Sequence, residues 1–577
     1  MFYSLLDVLV CAGCRGPLTL LLAQEEARIT TMRMAPARRA SLPDAVVGPM
    51  PPSDGSPLHG LLAPLAGAPA QDGRDTRVAV REGLLVCTTC ARWYPVLDGL
   101  PEVLPDHLRK WDRDRAWLDR VRGNAPATLD ALWPLLEARA VEREDPADRG
   151  AHHKRAEMAV TERPLPKDFF AWAEVAPFNA SSPFYSLDLL ARYVTTVSRL
   201  GCGVNGVVFD LGAGTGWTSE WLVRLGYQAI GVDLCRDYIA AGMPRRGAYL
   251  PHFVIGDVEN IPLRGACVDA VLSFDAFHHI PDRPRAMAEF ARIMRPGGTL
   301  ALTEPGIEHE HAAVSVDVMR EHGILERGFD RAGLDGYIAG LPLGDVQQYR
   351  SDTHPHDIYT VRKDGVFETD SLAPRALVAG LEPDPPSRPV AGVPIDLAVT
   401  ITNRGDTRWL ASTRDEIGEV HLGATLYDPS HTLLQENYAR VKLPRDLAPG
   451  DSIRLRCALP PVRDPGDYLI ELDMVDSGYL SFKDYAYQPV AWPVHVAAPE
   501  KGDSPLFSDN QRRQMSADDR IRGEELPLPP PAPIPEIPPP PAPTLVDKIF
   551  DVLRREGVAG VARRALRRAS GQRRTSV

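Results

Sequence analysis

Five small residues, Gly212-Ala213-Gly214-Thr215-Gly216, follow the apolar run Val207–Leu211 and precede a helical pattern that begins at Trp217. A strand, a glycine loop and a helix in this order are typical of α/β domains that bind nucleotides, because glycine leaves the backbone amides open to a ligand. From about residue 206 to residue 376, short apolar runs alternate with helical stretches, which predicts a parallel sheet with crossover helices. The chain should therefore contain a doubly wound α/β core of the Rossmann-like class.

Glycine loops of this kind also bind dinucleotides, and three details separate the alternatives. Asp210 stands two residues before the first glycine, where a carboxylate suits the cationic amino-acid end of S-adenosylmethionine better than an anionic pyrophosphate. The third glycine is Gly216, whereas the dinucleotide fingerprint requires it one residue later, at Trp217. Further acids, Asp233 in AIGVD and Asp257 in VIGDVENIPL, end the next apolar runs. This spacing favours S-adenosylmethionine over NAD.

The segment from about Val207 to Glu304 resembles class I S-adenosylmethionine-dependent methyltransferases, most closely their type 11 family, on the motifs VVFDLGAGTGW, GVDL, GDVENIPL, VDAVLSFDAFHHI and RIMRPGGTLALTEP. The family fold ends in an antiparallel hairpin, and we expect IYTVRKDGVFET to form it with Asp364-Gly365 as the turn. The resemblance also implies the cofactor contacts: Asp210, Gly212, Ala213, Gly214 and Gly216 at the methionine end, Asp233 at the ribose hydroxyls, Asp257 and Val258 at the adenine edge, and Ser273 and Phe274 at the sulfonium.

No catalytic residue is assigned from the sequence. The sulfonium methyl is already activated, so alignment of the acceptor supplies most of the catalysis. An acceptor hydroxyl would benefit from a base, and His278 and His279 follow the fourth strand where a base could lie. Glu304, His309 and His311 are weaker candidates, and a packing role is the alternative for each of these side chains.

Two Cys-x-x-Cys pairs, Cys11/Cys14 and Cys87/Cys90, lie in the N-terminal hundred residues. Each pair lets one tight turn direct two thiolates at the same ion, so the two pairs predict a closed, structural Zn²⁺ site. Reduced structural cysteines or a redox dithiol are the alternatives. The flanking sequences LLDVLVCAGCRGPL and GLLVCTTCARWYPVLDGLPEVL resemble the zinc ribbon that activates tRNA and protein methyltransferases, although the interval between the pairs is longer here.

Changes of pattern along the chain predict six segments. Beyond residue 383, period-two strands separated by Gly, Pro and Asp turns indicate an immunoglobulin-like β-sandwich, in which Trp409 and Trp492 form either a docking surface or part of the core. The expected segments are a zinc ribbon with a long insertion (1–105), a helical lid or linker (106–199), the methyltransferase domain (200–376), the β-sandwich (383–499), a linker that is Pro-rich from 526 (500–543) and a terminal basic amphipathic helix (544–577).

Charge distribution narrows the choice of partners. The formal charge of −12 argues against nucleic-acid binding, which needs a basic face. Residues 544–577 carry nine basic and three acidic side chains, so this tail is +6 and the remainder of the chain is −18. Its apolar stripe bordered by arginines suits an anionic membrane surface or a partner protein. No apolar run reaches the ~18 residues of a spanning helix, and a signal-peptide n-region is missing, so we predict a cytoplasmic protein that could bind the inner face of the membrane.

The acceptor is the least constrained part of this interpretation. We expect O-methylation of a glycan or related small-molecule acceptor in surface-polysaccharide assembly, with S-adenosylmethionine as cofactor and Zn²⁺ as a structural ion. Methylation of a quinone, lipid or small metabolite fits the same core. A scaffold with a vestigial methyltransferase fold is the non-catalytic alternative.

Overall fold

The structure is a computed structural model that describes residues 1–27, 78–160, 175–178, 182–243, 251–350, 356–500 and 521–528, apart from 126, 204, 367–368, 373, 375–376, 385–387, 414–415, 479 and 486–487. Residues 1–526 form one compact unit. The predicted basic helix, the Pro-rich part of the linker after 528 and most of the insertion between the cysteine pairs lie outside the described residues.

An antiparallel sheet of four strands in sequential order forms the N-terminal region. Successive residues of its second strand point to opposite faces, as the period of a strand requires. Leu84 and Val86 pack among the tryptophans of the helices that follow, whereas Leu85 and Cys87 join the core of the α/β domain. The sheet therefore lies between two apolar layers. Its strands are β1 (Leu18–Ala27), β2 (Val78–Cys87), β3 (Trp93–Leu97) and β4 (Leu100–Pro101).

The segment between this sheet and the α/β domain is helical where it is described, as the apolar spacing predicted. The first helix has Asp112 and Asp114 in its first turn and Arg120 and Arg122 in its last, which complements the helix dipole. The helices are α1 (Trp111–Gly123), α2 (Trp133–Glu137), α3 (Ala151–Met158) and α4 (Pro183–Val197).

A seven-stranded sheet forms the α/β domain and has the doubly wound arrangement that the alternating pattern predicted. Five strands, β9, β8, β5, β6 and β7 in spatial order, are parallel, and two antiparallel strands extend the β9 edge. The parallel strands are buried along most of their length because helices cover the sheet. The strands are β5 (Val207–Leu211), β6 (Gln228–Asp233), β7 (His252–Ile255), β8 (Val268–Phe274), β9 (Met294–Pro305), β10 (Leu343–Tyr349) and β11 (His356–Lys363). The helices are α5 (Trp217–Arg224), α6 (Arg236–Gly242), α7 (Arg283–Ile293), α8 (Ala313–His322) and α9 (Arg331–Ile338).

The antiparallel hairpin that ends this sheet differs from the one expected. β11 pairs with β9 on one side and with β10 on the other, so its hairpin partner precedes it in the chain. The turn at Asp364-Gly365 instead leads away from the sheet to Thr369–Asp370, which pairs with Thr407–Arg408. The prediction was wrong because local turn residues mark a change of direction without specifying which strand pairs next.

Two sheets that share one apolar core form the C-terminal part of the described chain. The period-two pattern predicted five strands, and each of them is present: IDLAVTITNRG, EVHLGATLYD, SIRLRCALP, DYLIELDMVD and AWPVHVAAP. Trp409 is fully buried and Trp492 is 4% exposed, so both tryptophans belong to the core rather than to a docking surface. The immunoglobulin-like topology stays a prediction. The main strands are β12 (Thr369–Asp370), β13 (Ala379–Pro383), β14 (Ile395–Asn403), β15 (Thr407–Arg408), β16 (Val420–Tyr427), β17 (Leu433–Lys442), β18 (Ser452–Leu459), β19 (Gly466–Asp476), β20 (Leu480–Ser481) and β21 (Val490–Val496), with short strands at Ile521–Arg522 and Glu524–Leu526.

Within the residues that the structure describes, no helix has the length and apolar character needed to cross a membrane.

Candidate cofactor site and cysteine cluster

A cavity of about 230 Å³ opens at the carboxyl ends of the parallel strands β5, β6 and β8. Ligands of open α/β sheets bind at this edge, because the loops that leave the strands diverge there. Five of the predicted cofactor residues line the cavity: Gly212, Gly214, Asp233, Asp257 and Val258. Helix α3, from the segment predicted to be a lid, contributes His153, Lys154 and Glu157 to its wall.

The glycine loop has the backbone conformation that requires glycine. Gly212, Gly214 and Gly216 all have positive φ, at 59°, 52° and 74°. A Cβ on Gly212 would lie 2.6 Å from the Cβ of Ala276, so no larger residue fits there without displacement. Gly216 and Ala213 do not line the cavity. The Gly216 amide donates to the Ala213 carbonyl at 2.6 Å, so these two residues shape the loop from behind.

Asp233, at the end of β6, faces the cavity with a rigidly held carboxylate. Its Oδ2 accepts from the Gly214 amide and its Oδ1 from the Cys235 amide, both at 2.7 Å. Burial raises its pKa to about 6, although both amide hydrogen bonds oppose the shift. A carboxylate has about four acceptor positions. Lone pairs therefore remain for two ligand hydroxyls.

Asp210 lies behind the glycine loop and is 1% exposed. Its Oδ2 accepts from Thr218 Oγ1 at 2.6 Å and from Ser219 Oγ at 2.5 Å. Its Oδ1 is buried without a hydrogen-bond partner among the described residues, and burial raises the pKa of the carboxyl to about 6. A buried acceptor of this kind costs free energy until a donor or a cation reaches it. Asp210 is not among the residues that line the cavity, and its contact with the cofactor stays a prediction.

Asp257 does two things at the end of β7. Its Oδ1 caps the short turn Val258–Asn260 by accepting from the Glu259 amide at 3.0 Å. Its Oδ2 accepts from the buried ammonium of Lys154 at 2.9 Å. The capping contact of Asp257 therefore coexists with its place in the cavity wall.

Lys154, which the sequence interpretation missed, connects α3 to the edge of the sheet. Its Nζ lies 2.9 Å from Asp148 Oδ2, 2.9 Å from Asp257 Oδ2 and 2.5 Å from Glu259 Oε2, and its side chain is 2% exposed. A single lysine in the polar helix AHHKRAEM carries no local signal of burial. Its role depends on contacts with residues about a hundred positions away.

The end of β8 meets the cavity two residues later than predicted. Ser273 is fully buried and donates to Glu304 Oε1 at 2.8 Å, while Phe274 packs against Tyr193. Neither residue lines the cavity. Asp275, with φ of 59°, and Ala276 occupy the wall instead. The last strand residues remain between the packed layers, and only the turn that follows reaches the ligand edge.

Three of the candidate histidines, His278, His279 and His309, lie around the carboxylates of Glu304 and Glu326. Glu304 is buried and accepts from His278 Nδ1 at 2.8 Å, and burial, with the neighbouring charge of His279, lowers the pKa of His278. His279 lines the cavity, whereas the side chain of His311 is 73% exposed. His309 lies 2.7 Å from Glu326 Oε2. Of the candidate bases, His279 is the one in the cavity wall.

The four cysteines of the N-terminal sheet converge. One sulfur from each of Cys11, Cys14, Cys87 and Cys90 lies within 4.8 Å of the others. The distances from Cys11 Sγ to Cys90 Sγ and from Cys14 Sγ to Cys87 Sγ are 3.6 and 3.5 Å. Tetrahedral zinc with Zn–S bonds of about 2.3 Å separates its sulfurs by about 3.8 Å. The cluster therefore fits one tetrahedral Zn²⁺ ion.

The cysteine-bearing sheet packs against the α/β domain beside the cavity. The Val103 amide donates to the Ile255 carbonyl at 2.8 Å, so the chain after β4 continues the sheet beyond its edge strand β7. Arg15 forms an ion pair with Glu289 at 2.9 Å. Ile255 is two residues before Asp257, so the contact supports the cavity edge directly.

Residues 209–302 match the family model of a methyltransferase domain. The α/β core is thus similar in sequence to methyltransferase domains. Residues 3–99 match the model of a Trm112p-like protein, so both predicted resemblances are confirmed. The two matches cover the glycine loop, Asp233, Asp257 and all four cysteines.

Individual relatives match only part of the chain. An uncharacterized methyltransferase of Mycobacterium tuberculosis, Rv3342, is 43% identical over 98 residues, 16% of this chain and 38% of the relative. The malonyl-[acyl-carrier protein] O-methyltransferase of Pectobacterium atrosepticum is 36% identical over 94 residues, 16% of this chain and 36% of the relative. The chain thus spans less than two-fifths of the length of these relatives. A solved complex of the Haloferax volcanii Trm112 methyltransferase activator has 19% identity and a TM-score of 0.28, over 35% of this chain and all of the other.

Proposed function

We propose that this protein is an S-adenosylmethionine-dependent methyltransferase that O-methylates a glycan or related acceptor. The observation that carries the proposal is the convergence of Gly212, Gly214, Asp233 and Asp257 on one cavity inside a methyltransferase domain. An open cavity and a buried Asp210 oxygen without a hydrogen-bond partner among the described residues argue against a vestigial scaffold, because such an oxygen costs free energy when no ligand binds.

Each group of residues has a separate task in binding. The backbone of the glycine loop and Asp210 would hold the cationic methionine end, Asp233 the ribose hydroxyls, and Asp257 with Val258 the adenine edge. Asp275 and Ala276 take the place beside the sulfonium that was first assigned to Ser273 and Phe274. The bound cofactor supplies an activated methyl group. The protein aligns the acceptor oxygen with it and excludes water from the cavity.

Transfer to oxygen is the chemistry favoured for the acceptor. The Pectobacterium relative is by name an O-methyltransferase. Asp275 and His279 add polar groups to a cavity wall that also contains Asp233 and Asp257. These groups suit a hydroxyl-bearing acceptor, of which a glycan of surface-polysaccharide assembly is the class we propose.

A lipid-like acceptor such as a quinone is the second candidate, and one observation favours it. Helix α4 exposes Phe184 and Leu187, at 83% and 62%. Burial, followed by the charge of Asp275 in the cavity wall, raises the pKa of Tyr185 between them. Apolar side chains are therefore available to an acceptor near the cavity.

The Trm112p-like region would serve the methyltransferase domain of the same chain. Its cysteines would hold one structural Zn²⁺ ion, because four thiolates leave no position for catalysis. In the described residues its partner surface is already occupied by the edge of the methyltransferase sheet, through Val103, Ile255, Arg15 and Glu289. We infer a built-in stabiliser of the cavity rather than a site for a separate enzyme.

The remaining expectations concern the C-terminal part and location. The β-sandwich is proposed to be immunoglobulin-like, and the segment 544–577 to be an amphipathic helix that binds an anionic membrane surface or a partner protein. The protein is proposed to be cytoplasmic, and peripheral at the inner face of the membrane if the helix binds lipid.

Methyl transfer from radiolabelled S-adenosylmethionine tests the proposal. Full-length protein is incubated with a glycan panel and, separately, with a total lipid extract, and Asp233→Ala serves as the inactive control. Label in one glycan fraction supports the first proposal, and label in the lipid fraction supports the second. If neither panel is labelled and wild-type protein shows no cofactor binding, the scaffold alternative replaces both.

A further inference from the structure

Histidines surround one carboxylate at the edge of the cavity. His278 Nε2 lies 3.6 Å and His309 Nε2 2.7 Å from Glu326 Oε2, and His279 Nδ1 lies 4.0 Å from Glu326 Oε1. One donor atom from each of His278, His279 and Glu326 lies within 4.8 Å of the other two. His278 and His279 are adjacent in the chain, whereas Glu326 lies in a later segment, so the fold brings the carboxylate to the two histidines.

The orientation of two of the imidazole rings is fixed by acceptors behind them. His278 Nδ1 lies 2.8 Å from Glu304 Oε2, and His279 Nδ1 lies 2.6 Å from the Leu325 carbonyl oxygen. Because these oxygens accept, the ring proton of each neutral histidine belongs on Nδ1, which leaves a lone pair on Nε2. Histidines that bind metals commonly donate their other nitrogen to a carboxylate or a carbonyl in this way.

The buried carboxylate of Glu304 strengthens this argument for His278. It already accepts from Ser273 Oγ at 2.8 Å and from the Phe277 amide at 3.0 Å. A carboxylate with several donors is an acceptor, so His278 Nδ1 has to supply a proton to it. His278 Nε2 and the Glu326 carboxylate then face each other at 3.6 Å as two electron-pair donors. A cation between them removes that conflict.

We propose that His278 Nε2, the imidazole of His279 and the Glu326 carboxylate bind one divalent transition-metal ion beside the cofactor cavity. Two imidazoles and one carboxylate suit borderline ions such as Fe²⁺, Mn²⁺, Co²⁺ or Zn²⁺ and leave coordination positions open. His309 then acts as a positioning residue that holds the Glu326 carboxylate by a hydrogen bond.

The open coordination positions would allow the ion to bind an acceptor molecule. His279 lines the cavity, as does Leu325, the residue before Glu326, so the ion would reach an acceptor that enters there. An oxygen atom of the acceptor is the ligand expected at the open positions, and this role rests on the proposed function. The ion site itself does not, because none of its ligands is among the residues assigned to the cofactor.

Cobalt titration of full-length protein tests the site. The cysteine cluster is first saturated with zinc, and Co²⁺ is then added to wild-type protein and to the Glu326→Gln, His279→Gln, His309→Ala and His311→Ala variants. Wild-type protein should bind one further ion, with an absorption spectrum that lacks thiolate-to-cobalt charge transfer. Loss of a ligand in Glu326→Gln or His279→Gln should weaken binding by about 100-fold or more, and His309→Ala by about 10- to 100-fold. His311→Ala is the matched control, because His311 is exposed on the same segment as His309 and should bind like wild type.

Three outcomes overturn the inference. Wild-type protein could take up no Co²⁺ beyond the cysteine cluster, the ligand variants could bind it as tightly as wild type, or His311→Ala could weaken binding as much as they do. Calorimetric titration with S-adenosylmethionine on the same samples identifies a misfolded variant and separates the two claims. Cobalt binding without cofactor binding supports the ion site and contradicts the proposed function, whereas the reverse result contradicts the ion site alone.

Discussion

The buried ammonium of Lys154 supports both the fold and the cavity, so Lys154→Met should be strongly destabilising. The substitution replaces the ammonium by an apolar side chain that is one heavy atom shorter. It leaves Asp148, Asp257 and Glu259 as buried carboxylates without their shared cation. At an effective dielectric constant of about 20, one ion pair at 2.9 Å contributes about 6 kcal/mol of Coulomb attraction, which the desolvation of the ammonium largely offsets. Removal of one partner from a buried pair costs about 3–5 kcal/mol.

Urea unfolding, followed by tryptophan fluorescence, measures this loss in the free energy of unfolding. Arg155→Met is the matched control, since Arg155 is the next residue of α3 and its side chain is 45% exposed in an ion pair with Glu144. The control should lose no more than about 1 kcal/mol. The Lys154→Met defect should shrink as pH falls from 7 to 5, because the uncompensated carboxylates bind protons. Equal stability of the two variants, or a defect that is independent of pH, would refute the reasoning.

Three further changes test other parts of the account. Gly212→Ala places a Cβ 2.6 Å from the Cβ of Ala276 in a residue with φ of 59°. Fluorescence titration should therefore show much weaker binding of S-adenosylmethionine to this variant. Gly340→Ala is the control and should bind normally, because Gly340 has φ of 79° but open space around it. Burial raises the pKa of Asp210 and Asp233 to about 6, so their contribution to the stability of the fold is present below about pH 4 and is lost as pH rises through 6. Affinity for the cationic cofactor should rise over the same interval, because both carboxyl groups become negatively charged. A pH-independent dissociation constant, measured by calorimetry from pH 5 to 8, would contradict this. Cys14→Ser should release the zinc ion, which elemental analysis detects. It should also lower the melting temperature of the whole 1–526 unit, because the N-terminal sheet contacts the α/β domain at Val103. Unchanged zinc content would exclude the four-cysteine site.

The sequence was sufficient to predict those elements that depend only on the pattern of residues within a short segment. The strand, glycine loop and helix around Gly212 follow from residue size and periodicity, and Asp233 follows from its place at a strand end. The two cysteine pairs were likewise predictable, because the Cys-x-x-Cys spacing alone directs two sulfurs at one ion. The five main strands of the C-terminal sheets were predicted because alternation with a buried face is a local property.

Contacts between distant segments were not predictable in the same way. Lys154 is buried because α3 lies over the acids that follow β7. The family resemblance implied Ser273 and Phe274 at the sulfonium, whereas the left-handed turn at Asp275 places Asp275 and Ala276 in the cavity wall instead. The hairpin at Asp364-Gly365 was wrong for a related reason, since strand pairing is decided by the free edge of the sheet. The convergence of His278, His279 and Glu326 has no sequence periodicity at all.

Calorimetric titration of S-adenosylmethionine into the full-length protein tests the central claim most directly. We predict binding of one cofactor per chain, its loss in Asp233→Ala, and its retention in Asp317→Ala, which removes an exposed acid on helix α8. A wild-type protein that produces no binding heat, or an Asp233→Ala variant that binds as tightly as wild type, would contradict the account.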